Sequence, residues 1–296
     1  MKKFSGTGVA LITPFNEKGH VDYDALQKLI DYNINNGIDY IVSLGTTGES
    51  VVLSKEEKKE ILQFTVNQVA GRVPVVAGFG GNNTSEIIKS IEKQDFTGID
   101  AILSVSPYYN KPTQRGIIAH YKAISNIAPR PVLLYNVPSR TGSNIQASTA
   151  IQLAKECDNI IGIKEASGDF SQAMYLVKHR PENFLLISGD DNLTLGLIAY
   201  GFDGVISVVA QAFPKMFSLM VKFCLRSDFY NARELHYKLN EITDMLFAEG
   251  NPAGIKYTLQ LLGIGKSYLR LPLVNISEEL QQKIEKSIQQ LEMAAV

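Results

Sequence analysis

Four kinds of side chain in this sequence could together run carbonyl chemistry. They are an amine at Lys164, a phenol at Tyr135, paired hydroxyls at Thr46 and Thr47, and a guanidinium at Arg140. Lys164 closes the run Ile160-Ile161-Gly162-Ile163, whose apolar, β-branched character reads as a strand buried on both faces. Burial disfavours a charged ammonium, and the neutral amine is the form that attacks a carbonyl carbon. A strand ending at Ile163 would instead leave Lys164 in water, and the run alone does not decide between the two. Gly45-Thr46-Thr47-Gly48-Glu49-Ser50 is a tight turn whose amides and hydroxyls suit a carboxylate. Tyr135 could pass protons through its hydroxyl, and Tyr108-Tyr109 begin an aromatic loop. Arg140 lies in Asn136-Val137-Pro138-Ser139-Arg140-Thr141-Gly142, where it could grip a carboxylate through two hydrogen bonds. Singly, each has an ordinary reading: a strand–helix connection, a core tyrosine, a packing pair, a solvated arginine. As a set they suit Schiff-base chemistry on a small keto acid.

An eightfold repeat would bring the set together. Short apolar runs near 8–13, 40–44, 73–78, 101–105, 132–137, 160–164, 185–188 and 204–208 are each followed by a helical pattern. Ser54-Lys55-Glu56-Glu57 is a capping box, Asn83-Thr84-Ser85-Glu86 has the related form, and Leu26, Leu29 and Ile30 lie at helical spacing. Strand and helix alternating eight times predict an α/β fold, a (β/α)8 TIM barrel, with an open doubly wound sheet as the competitor. Barrels carry their chemistry at the C-terminal ends of the strands, and the unusual residues fall there. Ile160, Gly162 and Lys164 share one face of their strand, and Gly162 would leave room at the barrel axis if that face points inward. Beyond Val209 the pattern is helical from 214 to about 250, again over 254–262, and from 277 onward. The expected organisation is a catalytic barrel over 1–222 and a C-terminal helical appendage over 223–296.

Composition narrows the function further. The chain has 296 residues, 45% hydrophobic and 20% charged, with a net charge of -1. That balance fits a globular core and gives no footprint for nucleic acid or a membrane surface. No segment has signal-peptide form or the length of a membrane span, so the expected location is cytoplasmic. Cys157 and Cys224 read as buried free thiols. His20, His120, His179 and His236 show no metal-ligand spacing, so no metal is expected. Gly265-Lys266-Ser267 lacks the first glycine of a phosphate loop, because position 260 is Gln. Gly78-Phe79-Gly80 lacks the third glycine of a dinucleotide fingerprint, because position 83 is Asn, and no serine-hydrolase elbow is present.

Five motifs in collinear order carry a resemblance. They are the 45–50 turn, Pro107-Tyr108-Tyr109-Asn110-Lys111-Pro112, the 135–142 segment, Gly162-Ile163-Lys164-Glu165-Ala166-Ser167, and Ser188-Gly189-Asp190-Asp191. From about residue 8 to 272 the chain resembles the 4-hydroxy-tetrahydrodipicolinate synthase family. That family belongs to the pyruvate-dependent class I aldolases, together with N-acetylneuraminate lyase. The resemblance implies that Lys164 forms a Schiff base with pyruvate, without a metal or organic cofactor. It further implies a hydroxyl relay of Thr47, Tyr135 and Tyr109, with Tyr109 reaching into a neighbouring subunit. Thr46, with the Thr47 amide, would hold the pyruvate carboxylate, and Arg140 that of L-aspartate-4-semialdehyde. The main chain at Gly189 and Ile206 would shape the pocket. The implied product is 4-hydroxy-tetrahydrodipicolinate, on the route to diaminopimelate and lysine, and the implied assembly is a homotetramer built from tight dimers.

Two departures bear on these expectations. Lys55 and Lys58 stand where lysine-inhibited members carry histidines, while Ser50, Asn82, Glu86 and Tyr108 match the remaining inhibitor contacts. Two cations there could repel the ammonium of a lysine ligand. Asn251-Pro252-Ala253-Gly254-Ile255-Lys256 differs from the commoner Asn-Pro-Ile-Pro form, a difference that concerns the helical appendage and so bears on assembly rather than catalysis. The alternatives are an aldolase or dehydratase for a sugar-derived keto acid, and a non-catalytic scaffold. Arg140 favours an acidic aldehyde over a neutral polyol, and a scaffold has no need of Lys164, Tyr135, Thr47 and Arg140 together.

Overall fold

Apolar runs bounded by turn chemistry form eight parallel strands in the computed structural model, which describes residues 2–293. In chain order, β1 (Gly6–Ala10), α1 (Tyr23–Asn35), β2 (Tyr40–Ser43), α2 (Lys55–Val69) and β3 (Val75–Gly78) begin the alternation. It continues through α3 (Thr84–Glu92), β4 (Ala101–Val105), α4 (Gln114–Ile127) and β5 (Val132–Asn136). The single turn α5 (Pro138–Thr141) precedes α6 (Ala147–Glu156), β6 (Ile160–Glu165), α7 (Phe170–His179) and β7 (Leu185–Ser188). Then come α8 (Thr194–Tyr200) and β8 (Gly204–Ser207). β8 pairs in parallel with β1, so the sheet closes as a (β/α)8 barrel and the open-sheet alternative falls away. Gly204 stands opposite Gly6 at this seam, and a Cβ on Gly204 would lie 2.1 Å from the Gly6 carbonyl oxygen.

Several strand limits shift by one to three residues from the sequence expectation, and two of the shifts have clear local reasons. Pro74 has no N–H to give a ladder, and β3 begins after it at Val75. β1 ends at Ala10 because the chain then turns toward the β8 loop, where the Ile12 amide donates to Gln211 Oε1 at 2.7 Å. Strand alternation produces two apolar layers. Val42, Leu103, Leu133, Ile187 and Ile206 fill the barrel, while Ile41, Ile102, Leu134, Ile163 and Leu186 pack beneath the helices. Each such side chain removed from water contributes roughly 1.5–3 kcal/mol. The capping box at Ser54 and Glu57 is formed, and Asn83 accepts from the amides of Ser85 and Glu86 to begin α3.

The helical stretch expected over 214–250 is two helices, α9 (Pro214–Leu225) and α10 (Phe229–Ala248). Ser227 takes a left-handed backbone with φ 61, and the Asp228 carboxylate caps the new helix at Asn231 N. α9 packs on β1 and β8 as the eighth helix of the barrel, so residue 222 lies inside it. α11 (Ala253–Leu261) and α12 (Glu278–Met293) pack against α10. Cys157 and Cys224 are buried free thiols. Among the described residues, no helix is long and apolar enough to cross a membrane.

A buried charge cluster ties this C-terminal region to the barrel. Lys256 Nζ on α11 lies 2.5 Å from Glu49 Oε1, and both side chains are shut off from solvent. The same ammonium donates to the Tyr268 carbonyl at 2.8 Å and lies 4.2 Å from the centre of the Phe15 ring. The Arg270 guanidinium also stacks on Phe15, pairs with Glu57, and donates to the carbonyls of Gly19 and Val52. Its backbone amide donates to Glu49 Oε2 at 3.2 Å. Lys256→Met would strand the buried Glu49 carboxylate and is expected to lower unfolding stability by about 3–5 kcal/mol in a urea titration. Adding Glu49→Gln should restore much of that loss. Single and double variants with equal losses would contradict this account of the cluster.

Candidate functional site

Lys164 points into the barrel, which resolves the choice the sequence leaves open. It stands on β6 in register with Tyr135 on β5 and Ile187 on β7, and is 6% exposed. Its neighbours on the same face make the space. A Cβ on Gly162 would meet Leu185 Cβ at 2.7 Å and Leu133 Cδ2 at 3.0 Å, inside the barrel. A Cβ on Gly189, just after β7, would lie 3.0 Å from Lys164 Cε and 2.6 Å from Ala166 Cβ. The Lys164 Nζ atom rests 4.5 Å from the centre of the Tyr135 ring.

The threonines occupy a strained turn at the end of β2. Residues Thr46–Gly48 form one 3₁₀ turn, bracketed by Leu44 at φ 59 and Glu49 at φ 51. Left-handed backbone at a non-glycine residue costs roughly 1–2 kcal/mol and persists where surrounding contacts impose it. Here Glu49 is fixed by Lys256 and by the Arg270 amide, and the Gly48 carbonyl accepts from Thr13 Oγ1 at 2.6 Å. Thr46 and Thr47 hold the first positions of the turn, where backbone N–H groups have no partner within it. Thr47 is buried, and its Oγ1 accepts a hydrogen bond of 2.9 Å from Asn251 Nδ2.

Arg140 sits on α5, the turn that Pro138 starts and Gly142 ends. Its guanidinium is exposed and has no hydrogen-bond or ion-pair partner among the described residues. A cavity of about 450 Å³ opens between Arg140, Lys164, Tyr135, Thr46 and Thr47, with Gly189, Asp190 and Asn251 also on its wall. A second cavity of about 250 Å³ adjoins it, sharing Thr46, Tyr135 and Arg140. The arrangement offers an amine, hydroxyls that can move protons, and one uncommitted cation at the rim.

Carboxylates hold the strand ends around this space. The Asp191 side chain accepts from Ser207 Oγ and from the Val208 amide, joining the ends of β7 and β8. Burial raises its carboxyl to about 6, against those hydrogen bonds. On β6 the next residue after Lys164, Glu165, faces the opposite way. It accepts from Asn136 Nδ2 at 3.1 Å, Gln172 Nε2 at 2.8 Å and the Ser167 amide at 2.7 Å, and burial again raises its carboxyl.

A model of the dihydrodipicolinate synthetase family matches residues 3–291. The chain belongs to that family. It is 50% identical to the 4-hydroxy-tetrahydrodipicolinate synthase of Parabacteroides distasonis, covering 97% of this chain and 96% of that one. Its fold superposes on the dihydrodipicolinate synthase of Aquifex aeolicus with a TM-score of 0.95, at 42% identity and 98% coverage of both chains. A monomeric dihydrodipicolinate synthase variant superposes equally well, with TM-score 0.95 at 36% identity, covering 98% of this chain and 97% of that one.

Within the family fold, Lys164, Tyr135, Thr46, Thr47, Arg140 and Gly189 come together around one cavity. Tyr109 and Ile206 are not on its wall; the resemblance assigns Tyr109 to a neighbouring subunit's site and only the main chain at Ile206 to the pocket. Tyr109 is 85% exposed on the loop after β4, with a left-handed backbone at φ 71. Ile206 packs its side chain among the barrel-interior residues. Of the set expected to contact an inhibitor, Ser50 and Tyr108 line the smaller cavity, and Asn82 is exposed after β3. Lys55 makes an exposed ion pair of 3.5 Å with Glu86, which Lys89 also contacts at 3.2 Å. Burial lowers the Lys58 ammonium, and Lys55 adds to the shift. The family motif segment at Asn251 corrects the sequence reading: it touches Thr47 directly, and so bears on the site and not only on assembly. Its signal was the Asn-Pro pair ending a long helix, which by itself names no partner.

Asp191 carries a pH prediction. Its folded value of about 6 lies above the ordinary 3.8, so its contribution to stability is complete below 3.8 and is lost as pH rises to about 6. Urea unfolding of Asp191→Asn against the unmodified protein should therefore show a difference that grows in the variant's favour across that window and levels off above it. A difference independent of pH would refute the assignment.

Proposed function

We propose that this chain condenses pyruvate with L-aspartate-4-semialdehyde through an imine on Lys164. The product is 4-hydroxy-tetrahydrodipicolinate, and the reaction is the first committed step of diaminopimelate and lysine biosynthesis. One observation carries the reading: a buried lysine at the barrel axis shares a cavity with two threonines, a tyrosine and an unpaired arginine. The Lys164 amine attacks the pyruvate carbonyl carbon, and the carbonyl oxygen leaves as water. The resulting iminium withdraws electrons from the methyl group, so a methyl proton can pass to the Tyr135 hydroxyl network. The enamine carbon then bonds to the aldehyde carbon, and the aldehyde oxygen takes up a proton from the same network; the amino group of the semialdehyde then attacks the imine carbon, closing the ring and expelling the Lys164 amine. No metal or organic cofactor is called for, since the iminium itself serves as the electron sink.

The roles of the other residues follow from charge and reach. Thr46 and the Thr47 amide bind the pyruvate carboxylate, and Arg140 binds the carboxylate of the aldehyde partner. A neutral sugar-derived chain would leave that guanidinium unpaired, which disfavours the lyase alternative. Gly189 and the main chain at Ile206 keep space around the lysine stem. Tyr109 extends from the rim, exposed and strained, in the manner of a residue completing the site of a second copy. The assembly is then a tight dimer, with a tetramer as a dimer of dimers. The Ser50, Lys55, Lys58, Asn82, Glu86 and Tyr108 cluster is the corresponding effector surface. Its paired lysines weaken binding of a cationic ligand.

Coupled turnover assays test the reading, with L-aspartate-4-semialdehyde set against sugar-derived keto acids as substrates. Turnover confined to the sugar-derived compounds would overturn it. Arg140→Ala should lower kcat/KM for the semialdehyde by about 100-fold while the pyruvate imine still forms. Gly189→Ala should displace Lys164 and cost roughly 100-fold in turnover, with the fold intact by circular dichroism. Full activity in that variant would mean that Lys164 tolerates a position other than the one seen.

A further inference from the structure

Thr47 carries one hydroxyl proton and two lone pairs, and what its neighbours take decides what it can pass on. Asn251 Nδ2 donates to Thr47 Oγ1 at 2.9 Å, across a sequence separation of 204 residues and with both side chains buried. That bond uses one lone pair. One lone pair and the proton remain, and Thr47 stands with Tyr135 on the wall of the same cavity. A hydroxyl in this state can accept a proton from Tyr135 while giving up its own. An acceptor at position 251 would do the reverse. It would capture the threonine proton and leave Thr47 able only to receive.

We propose that Asn251 is a positioning residue that sets the hydrogen-bond polarity of Thr47, so that the hydroxyl can relay protons in both directions. The inference rests on the pyruvate-imine reading above and adds a residue from outside the eight strand ends. Its placement is secured at both sides. α10 ends just before Asn251, and α11 just after it carries Lys256, whose buried ion pair with Glu49 grips the same turn that holds Thr47. Asn251 Oδ1 is buried without a partner, so the Thr47 contact is the one hydrogen bond its side chain makes among the described residues. The relay step is balanced as a chain of transfers. The C3–H bond of the pyruvate iminium breaks, its proton goes to the Tyr135 oxygen, the Tyr135 proton goes to Thr47, and the Thr47 proton leaves toward solvent or the next hydroxyl.

The test compares the unmodified protein with Asn251→Asp and Asn251→Ala. Asn251→Asp is nearly isosteric but can only accept when ionised, and Asn251→Ala removes the contact. Three quantities are measured: borohydride trapping with pyruvate, deuterium exchange into the pyruvate methyl group by NMR without the aldehyde, and kcat. Trapping should persist in both variants. Methyl exchange and kcat should fall about 10-fold in Asn251→Ala and about 100-fold in Asn251→Asp, within the range acid–base catalysis supplies. The Asn251→Asp loss should shrink toward acidic pH, as the introduced carboxyl gains a proton and can donate again. Exchange within twofold of the unmodified protein in Asn251→Asp, or equal pH-independent losses in both variants, would overturn the proposal. If Asn251→Asp does not fold, Asn251→Ala decides alone: unchanged exchange there refutes it. Failure of the unmodified protein to form any adduct would instead sink the imine reading.

Discussion

The end of a lysine side chain is held out of water at the axis of a closed barrel, and the neighbouring sequence is arranged around that constraint. Room for the stem comes from two missing side chains, Gly162 on the same strand face and Gly189 at the end of the next strand. A methyl group at either place would meet packed atoms at 3.0 Å or less. The amine lies against the face of Tyr135, and among the described residues no carboxylate comes within ion-pair distance of it. The carboxylates on either side are turned elsewhere: Glu165 to Asn136 and Gln172, Asp191 to Ser207 and Val208.

A second constraint links the site to the C-terminal helices. The threonine turn contains two non-glycine residues in left-handed conformation, and one of them, Glu49, is fixed by a buried lysine from α11. Ion pairs of this kind contribute little net stability compared with an apolar pair, yet losing one partner is costly. Their value here is registration: Lys256 and Arg270 set where the segment carrying Asn251 meets the turn carrying Thr47. The helical region is therefore coupled to the site by geometry, whatever its independence as a folding unit.

Much of this was legible in the sequence, for identifiable reasons. Short continuous apolar runs, each followed by a helical pattern, gave the barrel, because strands buried on both faces and amphipathic helices have distinct signatures. Lys164, Tyr135, Arg140 and the threonine pair stood out because polar groups at strand ends have little to do in packing. Turn-level events were harder to read. Ser227 breaks a helix through a left-handed backbone at a residue that carries no glycine signal, so one expected helix became two. The Asn251–Thr47 contact spans most of the chain, and nothing local encodes it. The same holds for Glu49 and Lys256, which read separately as a loop acid and a helix lysine but are together the most deeply buried charges near the site.

The central claim is that Lys164 is the nucleophile. Its most direct test is incubation with pyruvate, reduction with borohydride, and peptide mapping by mass spectrometry. The account predicts one reduced pyruvate adduct per chain, on the peptide carrying Lys164, and none in Lys164→Ala. An adduct on another lysine, or persistent labelling of Lys164→Ala at the unmodified level, would contradict it.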